Sequence, residues 1–231
     1  TDYEHCRYRN FEGVVIVCAN FDDPDVIELM NSEIPVVTID YVHHNCTAVT
    51  SNNIQGMEDL VKYIYSQGHR KIAYIHGQEG SSVTRDRLAS FYRTIDELGL
   101  EIPDTYVRSA DYLETKGSAK QTKELLNLED PPTCIIYPDD TSLIGGRNVI
   151  IEMGLRIPRD ISVAGYDGTM ISQLLYPKLT TIRQNTEMIG SEAATRLIGT
   201  IEKPRTTLVE RVVIEGSLVP GQSVGAIQPK G

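Results

Sequence analysis

The sequence contains no apolar run of the length needed to cross a membrane. Its formal net charge of −10 at pH 7 disfavours attraction to phosphates, so the chain is not expected to bind DNA by itself. The four cysteines do not form the framework of a small secreted protein. Cys18 and Cys134 lie in apolar runs, where a reduced thiol acts as a small apolar filler. A reducing cytoplasm is therefore the expected compartment, although a chain that begins with Thr1 gives little weight to a missing signal peptide.

Motifs of several enzyme classes are also missing. No Gly-x-Ser-x-Gly nucleophile elbow is present, and Gly77–Ser82 lacks the Gly-Lys-Ser/Thr ending of a nucleotide triphosphate site. The segment His43–Cys46 offers at most three metal ligands with no second cluster, so a polar loop is the better interpretation. Asp139 and Asp140 are adjacent on a turn and should point apart, which argues against a catalytic dyad. We expect no catalytic residue, metal or cofactor.

Strands and helices alternate along almost the whole chain, a pattern typical of parallel sheets covered by helices on both faces. Gly13–Ala19 is a continuous apolar run of the kind that forms a buried parallel strand. Asp23 followed by Pro24 predicts the N-cap and first position of a helix. The tail Leu208–Leu218 alternates like an edge or closing strand. The predicted fold class is therefore α/β.

Two predicted strand ends carry polar residues suited to a ligand. Ile157–Gly168 predicts a buried strand that ends in a tight turn and presents Asp167, while Lys71–Gly77 leads into a helix that contains Arg87. In open parallel α/β sheets, ligands bind outside the carboxyl ends of the strands. The two segments together predict a small polar ligand held between sheet edges.

Four segments, in this order and spacing, resemble the effector-binding domain of the lactose/galactose-repressor family of transcription regulators: Gly68–Gly77, Arg87–Phe91, Gly154–Asp167 and Leu179–Ile182. The resemblance implies two Rossmann-like subdomains with parallel sheets, as in type I periplasmic binding proteins, and a ligand cleft between them. It assigns residues 1–68 and 184–207 to an N-terminal subdomain, and residues 69–183 and 208–231 to a C-terminal one.

Two features of the family have no counterpart in the sequence. Members carry an N-terminal helix-turn-helix, and none is recognisable here. Phe11–Val17 matches the family's third strand, so the preceding units, on the order of 50 residues, are expected to be missing. We therefore expect an incomplete N-terminal subdomain, and contact with DNA only through a head domain absent from this chain.

The resemblance implies three principal ligand contacts. Arg87 would donate its fork of N–H groups to ligand hydroxyls; the alternative is a surface arginine paired with Asp86 or Asp96. Asp167 can accept two hydroxyl hydrogen bonds, as a vicinal diol requires, or stabilise its own loop as an Asx-turn. Tyr112 occupies the position of an aromatic that stacks on the ligand's apolar face, or is a half-buried loop tyrosine.

Three further residues are predicted near the ligand on weaker grounds. Asp139 is expected to face the cleft, with Asp140 as the N-cap of the next helix. Ser81 is interpreted as a turn or cap residue whose hydroxyl lies near the ligand. Asn52 is expected to be a polar group facing the hinge.

These observations favour a ligand-sensing and dimerisation domain of a bacterial transcription regulator. A mono- or disaccharide effector would bind the closed state more tightly and so change the spacing of DNA-binding heads in a dimer. A homodimer is expected through the helix Ser142–Met153 and the segment Thr169–Leu175, where Leu174 and Leu175 could form an exposed apolar patch. The first alternative is an extracytoplasmic sugar-binding protein of a transporter, and the last is an α/β enzyme.

Overall fold

The computed structural model describes residues 1–17, 22–204 and 206–227. The helices are α1 (Asp2–Tyr8), α2 (Pro24–Met30), α3 (Asn53–Ser66), α4 (Ser82–Glu97), α5 (Thr115–Leu126), α6 (Asp140–Glu152), α7 (Met170–Leu174) and α8 (Thr186–Glu202). The strands are β1 (Val14–Ile16), β2 (Val36–Ile39), β3 (Thr47–Ser51), β4 (Ile72–His76), β5 (Val107–Ser109), β6 (Cys134–Ile136), β7 (Ser162–Ala164), β8 (Thr181–Arg183), β9 (Arg211–Ile214) and β10 (Ser217–Val219). The chain divides into one unit of Thr1–Asn52 with Asn185–Glu215 and a second of Asn53–Gln184 with Gly216–Gly231.

The first unit contains a parallel sheet in the order β1-β2-β3-β9. One apolar cluster joins this sheet to α1 and α2, and another joins it to α8. The predicted start of α2 is confirmed, because the Asp23 carboxylate caps the helix by accepting from the backbone N–H of Asp25. The predicted strand Gly13–Ala19 is observed as Val14–Ile16, and its last two residues, Cys18 and Ala19, lie outside the described residues.

The second unit contains a parallel sheet in the order β5-β4-β6-β7 and an antiparallel pair of β8 with β10. The buried side chains of α3 and α4 pack on one face of the four-stranded sheet, and those of α5 and α6 pack on the other. Each strand is covered on both faces, which explains its continuous apolar sequence. The predicted α/β class with parallel sheets is thus confirmed.

The unit boundaries differ from those predicted. Helix α3 belongs to the second unit, because its buried face, which includes Leu60 and Ile64, packs with Phe91 of α4. Strand β9 belongs to the first unit because it pairs with β3. The chain therefore passes between units after Asn52, and the tail expected to be one strand is two strands in different units.

Cys6, Cys46 and Cys134 are buried and carry free thiols. For Cys134, this agrees with its interpretation as a small apolar filler. Cys18 lies outside the described residues. Within those residues, no helix is both long and apolar enough to cross a membrane.

Candidate ligand-binding site

The carboxyl ends of four parallel strands meet at one edge of the second unit's sheet. Strand β4 lies between β5 and β6. The chain therefore continues from β4 to β5 on one side of it and then crosses to β6 on its other side. Such a reversal opens a crevice between strand ends, where open α/β sheets bind their ligands. Helix α4 follows β4 and brings Arg87 to this edge, while the segments after β5, β6 and β7 supply Tyr112, Pro138 and Asp167.

Arg87 is buried at this edge, with 3% of its surface exposed. Its Nε donates to Oδ1 of Asn53 at 2.8 Å, and its Nη1 donates to the backbone oxygen of Pro138 at 2.9 Å. Its Nη2 lies 3.8 Å from Oδ1 of Asp167. The alternative of a surface arginine paired with Asp86 therefore does not apply.

Two tyrosines lie beside the Arg87 guanidinium. The Cζ of Arg87 is 3.5 Å from the centroid of the Tyr166 ring and 5.9 Å from that of Tyr112. Cations within about 6 Å of an aromatic face are attracted by the ring quadrupole. The hydroxyl of Tyr112 is 2.8 Å from that of Thr84, and burial raises the pKa of the Tyr112 phenol. Tyr112 is thus held in place as a neutral, half-buried ring.

Asp167 adopts a left-handed backbone conformation, with φ of +96°. Its Oδ1 accepts from the side-chain amide of Gln184, and the Gln184 backbone N–H donates to the Asp167 carbonyl at 3.2 Å. About a quarter of the side chain, 26%, stays exposed. The turn after β7 thereby presents a carboxylate beside a buried cation, and Gln184 is a contact that the sequence did not indicate.

The expected N-cap assignment of Asp140 was wrong. Asp139 is the N-cap of α6 and is 1% exposed, and its carboxylate accepts from the N–H groups of Ser142 and Leu113 and from the Ser142 hydroxyl. Asp140 is the first helical residue, and its carboxylate accepts from Thr169 and Thr181. Burial raises the pKa of Asp140 to about 6. Both carboxylates therefore stabilise loops around the site.

The other two predicted residues are less closely connected to this cluster. Ser81 precedes the first turn of α4 as its N-cap residue, without a side-chain cap hydrogen bond. Asn52 belongs to the first unit, where its Nδ2 donates to Oε1 of Glu215 at 2.8 Å. The structure thus brings together Arg87, Tyr112 and Asp167 of the predicted set.

Two residues that contact Arg87, Asn53 and Tyr166, were not predicted from the sequence. Asn53 was passed over for its neighbour Asn52, although a helix start is a common place for an asparagine that binds a side chain. Tyr166 precedes Asp167 in the same turn, and its hydroxyl reaches α3, where a Cβ on Gly56 would lie 2.2 Å away. A small residue at position 56 in an otherwise apolar helix face was the available signal.

No group of three or more histidine, cysteine, aspartate or glutamate side chains in the described part of the chain could hold a metal ion. In the segment His43–Cys46, the His43 ring and the Cys46 thiol are 3.9 Å apart, and the thiol donates to the Met30 carbonyl. Burial raises the pKa of Cys46 to about 11. The thiol stays protonated and is therefore a poor metal ligand at neutral pH.

Comparisons with known proteins agree with this architecture. Residues 61–224 match the model of the periplasmic binding protein-like domain. The chain belongs to this family. The chain is similar to a probable HTH-type transcriptional repressor, ExuR of Bacillus subtilis (strain 168), and the predicted homology to the lactose/galactose-repressor family is confirmed by the solved LacI regulator described below. The two sequences are 28% identical over 208 residues, which cover 89% of this chain and 62% of ExuR. The chain thus spans less than two thirds of that relative's length.

Solved structures of this family superpose closely on the chain. A putative LacI regulator from Bacillus cereus subsp. cytotoxis has a TM-score of 0.89 and 25% identity, and the match covers 98% of this chain and 81% of that one. A complex of the transcriptional regulator CelR with cellobiose has a TM-score of 0.85 and 25% identity, covering 96% of this chain and 71% of CelR.

Proposed function

We propose that this chain is the effector-binding part of a bacterial transcription repressor and that its effector is a mono- or disaccharide. The observation that carries the proposal is the convergence of Arg87, Asp167 and Tyr112 at one edge of the second unit's sheet. The guanidinium and the carboxylate, 3.8 Å apart, are farther apart than a hydrogen-bonded pair. Side by side, they offer donors and acceptors to two adjacent sugar hydroxyls.

The aromatic side chain of Tyr112 supports the same ligand class. Sugars present apolar C–H faces as well as hydroxyls, and a rigid aromatic ring offers a large surface to such a face. The ring of Tyr112 packs over Gly77, where an added Cβ would lie 2.1 Å from its atoms. The complex of the related CelR with cellobiose supports a saccharide in this family.

The similarity to a repressor supports a proposal for the whole protein's role in transcription. The repressor ExuR favours a cytoplasmic regulator over a transporter's sugar-binding protein and over an enzyme. Repression would need a DNA-binding part, since the net charge of −10 on this chain disfavours contact with DNA. Binding of the sugar would change the affinity of that part for DNA through a coupling free energy.

We also propose that the chain forms a homodimer through α6 and α7. Large apolar side chains of this region are exposed: Met170 (79%), Leu174 (74%) and Tyr176 (81%), with Ile151 (50%) on α6. The Arg147 side chain donates to the backbone oxygen of Tyr176 at 3.0 Å, which holds the segment after α7 against α6. Contiguous exposed apolar surface of this kind marks a protein interface.

Calorimetric titration and thermal unfolding with a panel of cellobiose, glucose, galactose, ribose and glucuronate test the effector class. At least one sugar should bind and raise the unfolding temperature of the native chain. Asp167→Asn should lose most of that binding but keep the fold, because asparagine tolerates a positive φ. Asp160→Asn, an exposed aspartate paired with Arg156, is the matched control. Binding that survives in Asp167→Asn would place the site elsewhere, and no binding of any sugar would refute the effector class.

A further inference from the structure

Tyr74 on β4 is fully buried, and its hydroxyl has no hydrogen-bond partner among the described residues. Buried phenols usually find a partner, because leaving the hydroxyl unpaired in a low-dielectric interior costs free energy. Two other large buried tyrosines of this unit, Tyr106 and Tyr137, follow that rule. The Tyr106 hydroxyl donates to the Asp130 carbonyl at 2.9 Å, and the Tyr137 hydroxyl is 2.7 Å from that of Thr122. Tyr74 therefore needs an explanation specific to its position.

That position is on β4, the strand whose carboxyl end borders the candidate site. Side chains alternate along a strand, so Tyr74 and His76 lie on the same face of β4, with ring centroids 6.1 Å apart. The Tyr74 ring is also 5.2 Å from that of Phe91, which lies one turn after Arg87 on α4. Strand β4 borders the reversal in strand order at which the site lies.

The electrostatic surroundings of the phenol agree with this placement. Burial raises the pKa of Tyr74, and the groups whose charges also act on it are Tyr112, Arg87 and Tyr166. These are the same side chains that form the cluster at the sheet edge. The unpaired hydroxyl thus lies within electrostatic range of the groups proposed to hold a sugar.

We propose that Tyr74 is a specificity-determining residue of the effector site and that its hydroxyl hydrogen-bonds to one hydroxyl of the bound sugar. The proposal rests on the proposed function. The Tyr74 hydroxyl is closed to solvent in this structure, so the contact requires a neighbouring side chain to shift. Tyr112 is suited to that role, because it lies on a loop, is half-buried and is held through its hydroxyl by Thr84. Sugar binding would then satisfy a polar atom that is otherwise unpaired, and a site of this kind discriminates strongly against analogues that lack the hydroxyl.

Tyr74→Phe tests the proposal because it removes one oxygen atom and keeps the ring. The variant should unfold at the native temperature or above it, since it loses an unpaired polar atom. It should bind the best sugar of the panel about tenfold more weakly, as expected for one hydrogen bond to a ligand. The matched control is Tyr137→Phe, which loses the hydrogen bond between the Tyr137 and Thr122 hydroxyls and should unfold at a lower temperature with native affinity.

A second measurement uses deoxy analogues of the sugar that binds best. The native chain should prefer the parent sugar over the analogue that lacks the hydroxyl facing Tyr74, and Tyr74→Phe should lose that preference. Native affinity in Tyr74→Phe would overturn the proposal, as would a lower unfolding temperature, which would show that the hydroxyl already has a partner. Failure of the proposed function is distinguishable, because the native chain would then bind no sugar or Asp167→Asn would bind as well as the native chain.

Discussion

The guanidinium of Arg87 lies 3.5 Å from the centre of the Tyr166 ring, and Tyr166 immediately precedes Asp167 in the turn after β7. One turn therefore supplies both an aromatic face and a carboxylate to the same buried cation. The guanidinium also donates through Nε to Oδ1 of Asn53 and through Nη1 to the backbone oxygen of Pro138. This arrangement fixes the direction of the remaining N–H groups before any ligand arrives, so little side-chain entropy is lost on binding.

Arg87→Lys should weaken sugar binding at least about tenfold and destabilise the fold by about 1–3 kcal/mol. Lysine keeps the charge but cannot donate to Asn53 and Pro138 at the same time, and it loses the planar face that stacks on Tyr166. Calorimetric titration and denaturant unfolding measure the two effects. Arg93→Lys, at a half-exposed position on the same helix, should change neither. Native affinity in Arg87→Lys would show that the planar fork is not used.

Gly77→Ala should weaken sugar binding although Gly77 itself has no side chain to contact the ligand. A Cβ at position 77 would lie 2.1 Å from ring atoms of Tyr112, so the ring must move away from Arg87 and Asp167. We expect a loss of affinity of about tenfold, on the scale of an aromatic contact, measured by titration with the best sugar of the panel.

Gly190→Ala is the matched control for that substitution. Nothing lies within 4 Å of a Cβ built at Gly190, and alanine is favoured over glycine inside a helix by about 1 kcal/mol. This variant should be more stable and bind normally. If Gly77→Ala bound sugar as the native chain does, the Tyr112 ring would have no part in the site.

The sequence predicted most of the architecture, because its signals are local. The Asp23–Pro24 pair marks a helix start, because the Asp23 carboxylate caps the helix and the Pro24 ring suits its first position. Apolar runs mark buried strands. The position of α3 was not predictable in this way, since a helical apolar face does not say which sheet it covers. Only the observed packing of Leu60 and Ile64 in the second unit decides this.

The candidate site was predictable in part for the same reason. Arg87 and Asp167 follow strand ends, so their convergence could be inferred from the order of the elements, whereas Tyr112 was implied by the family resemblance. Which of Asp139 and Asp140 is the N-cap of α6 depends on where the extended backbone after β6 ends. Two adjacent aspartates in the sequence do not indicate that point. The extended backbone of Asp139, with φ of −159° and ψ of 169°, makes it the cap. For the contact of Tyr166 with Arg87, the sequence offered only the small residue Gly56 in the apolar face of α3, which makes room for the Tyr166 hydroxyl.

The stability of the chain should depend on pH through Asp140. Burial raises the pKa of this carboxyl from 3.8 to about 6, so the folded state binds the proton more tightly than the unfolded state does. The contribution to the free energy of unfolding is therefore present at low pH and is lost as pH rises through about 6. Asp140→Asn removes this term, so the native chain should gain about 1 kcal/mol relative to the variant between about pH 7.5 and pH 5.

The comparison with Asp140→Asn is needed because His69 acts in the opposite direction. Burial lowers the pKa of His69, whose ring lies 2.8 Å from the Thr133 hydroxyl and 2.9 Å from the Gly225 carbonyl. A protein that buries a neutral histidine loses folding stability as pH falls below the pKa of that histidine in the unfolded chain, about 6.5. Urea unfolding at several pH values on both proteins isolates Asp140, since His69 is common to them. Parallel curves would show that Asp140 does not titrate in this range.

Leu174→Glu should convert a homodimer into a monomer. The side chain is 74% exposed on α7, between Met170 and Tyr176, and a charge in the middle of a paired apolar patch loses its hydration without gaining a partner. Light scattering should report twice the chain mass for the native chain and one chain mass for the variant. Ile198→Glu, at a 54% exposed position of α8 in the first unit, is the control and should remain dimeric. A native chain that is monomeric at all concentrations would remove this interface, but sugar titration would still test the site at Arg87 independently.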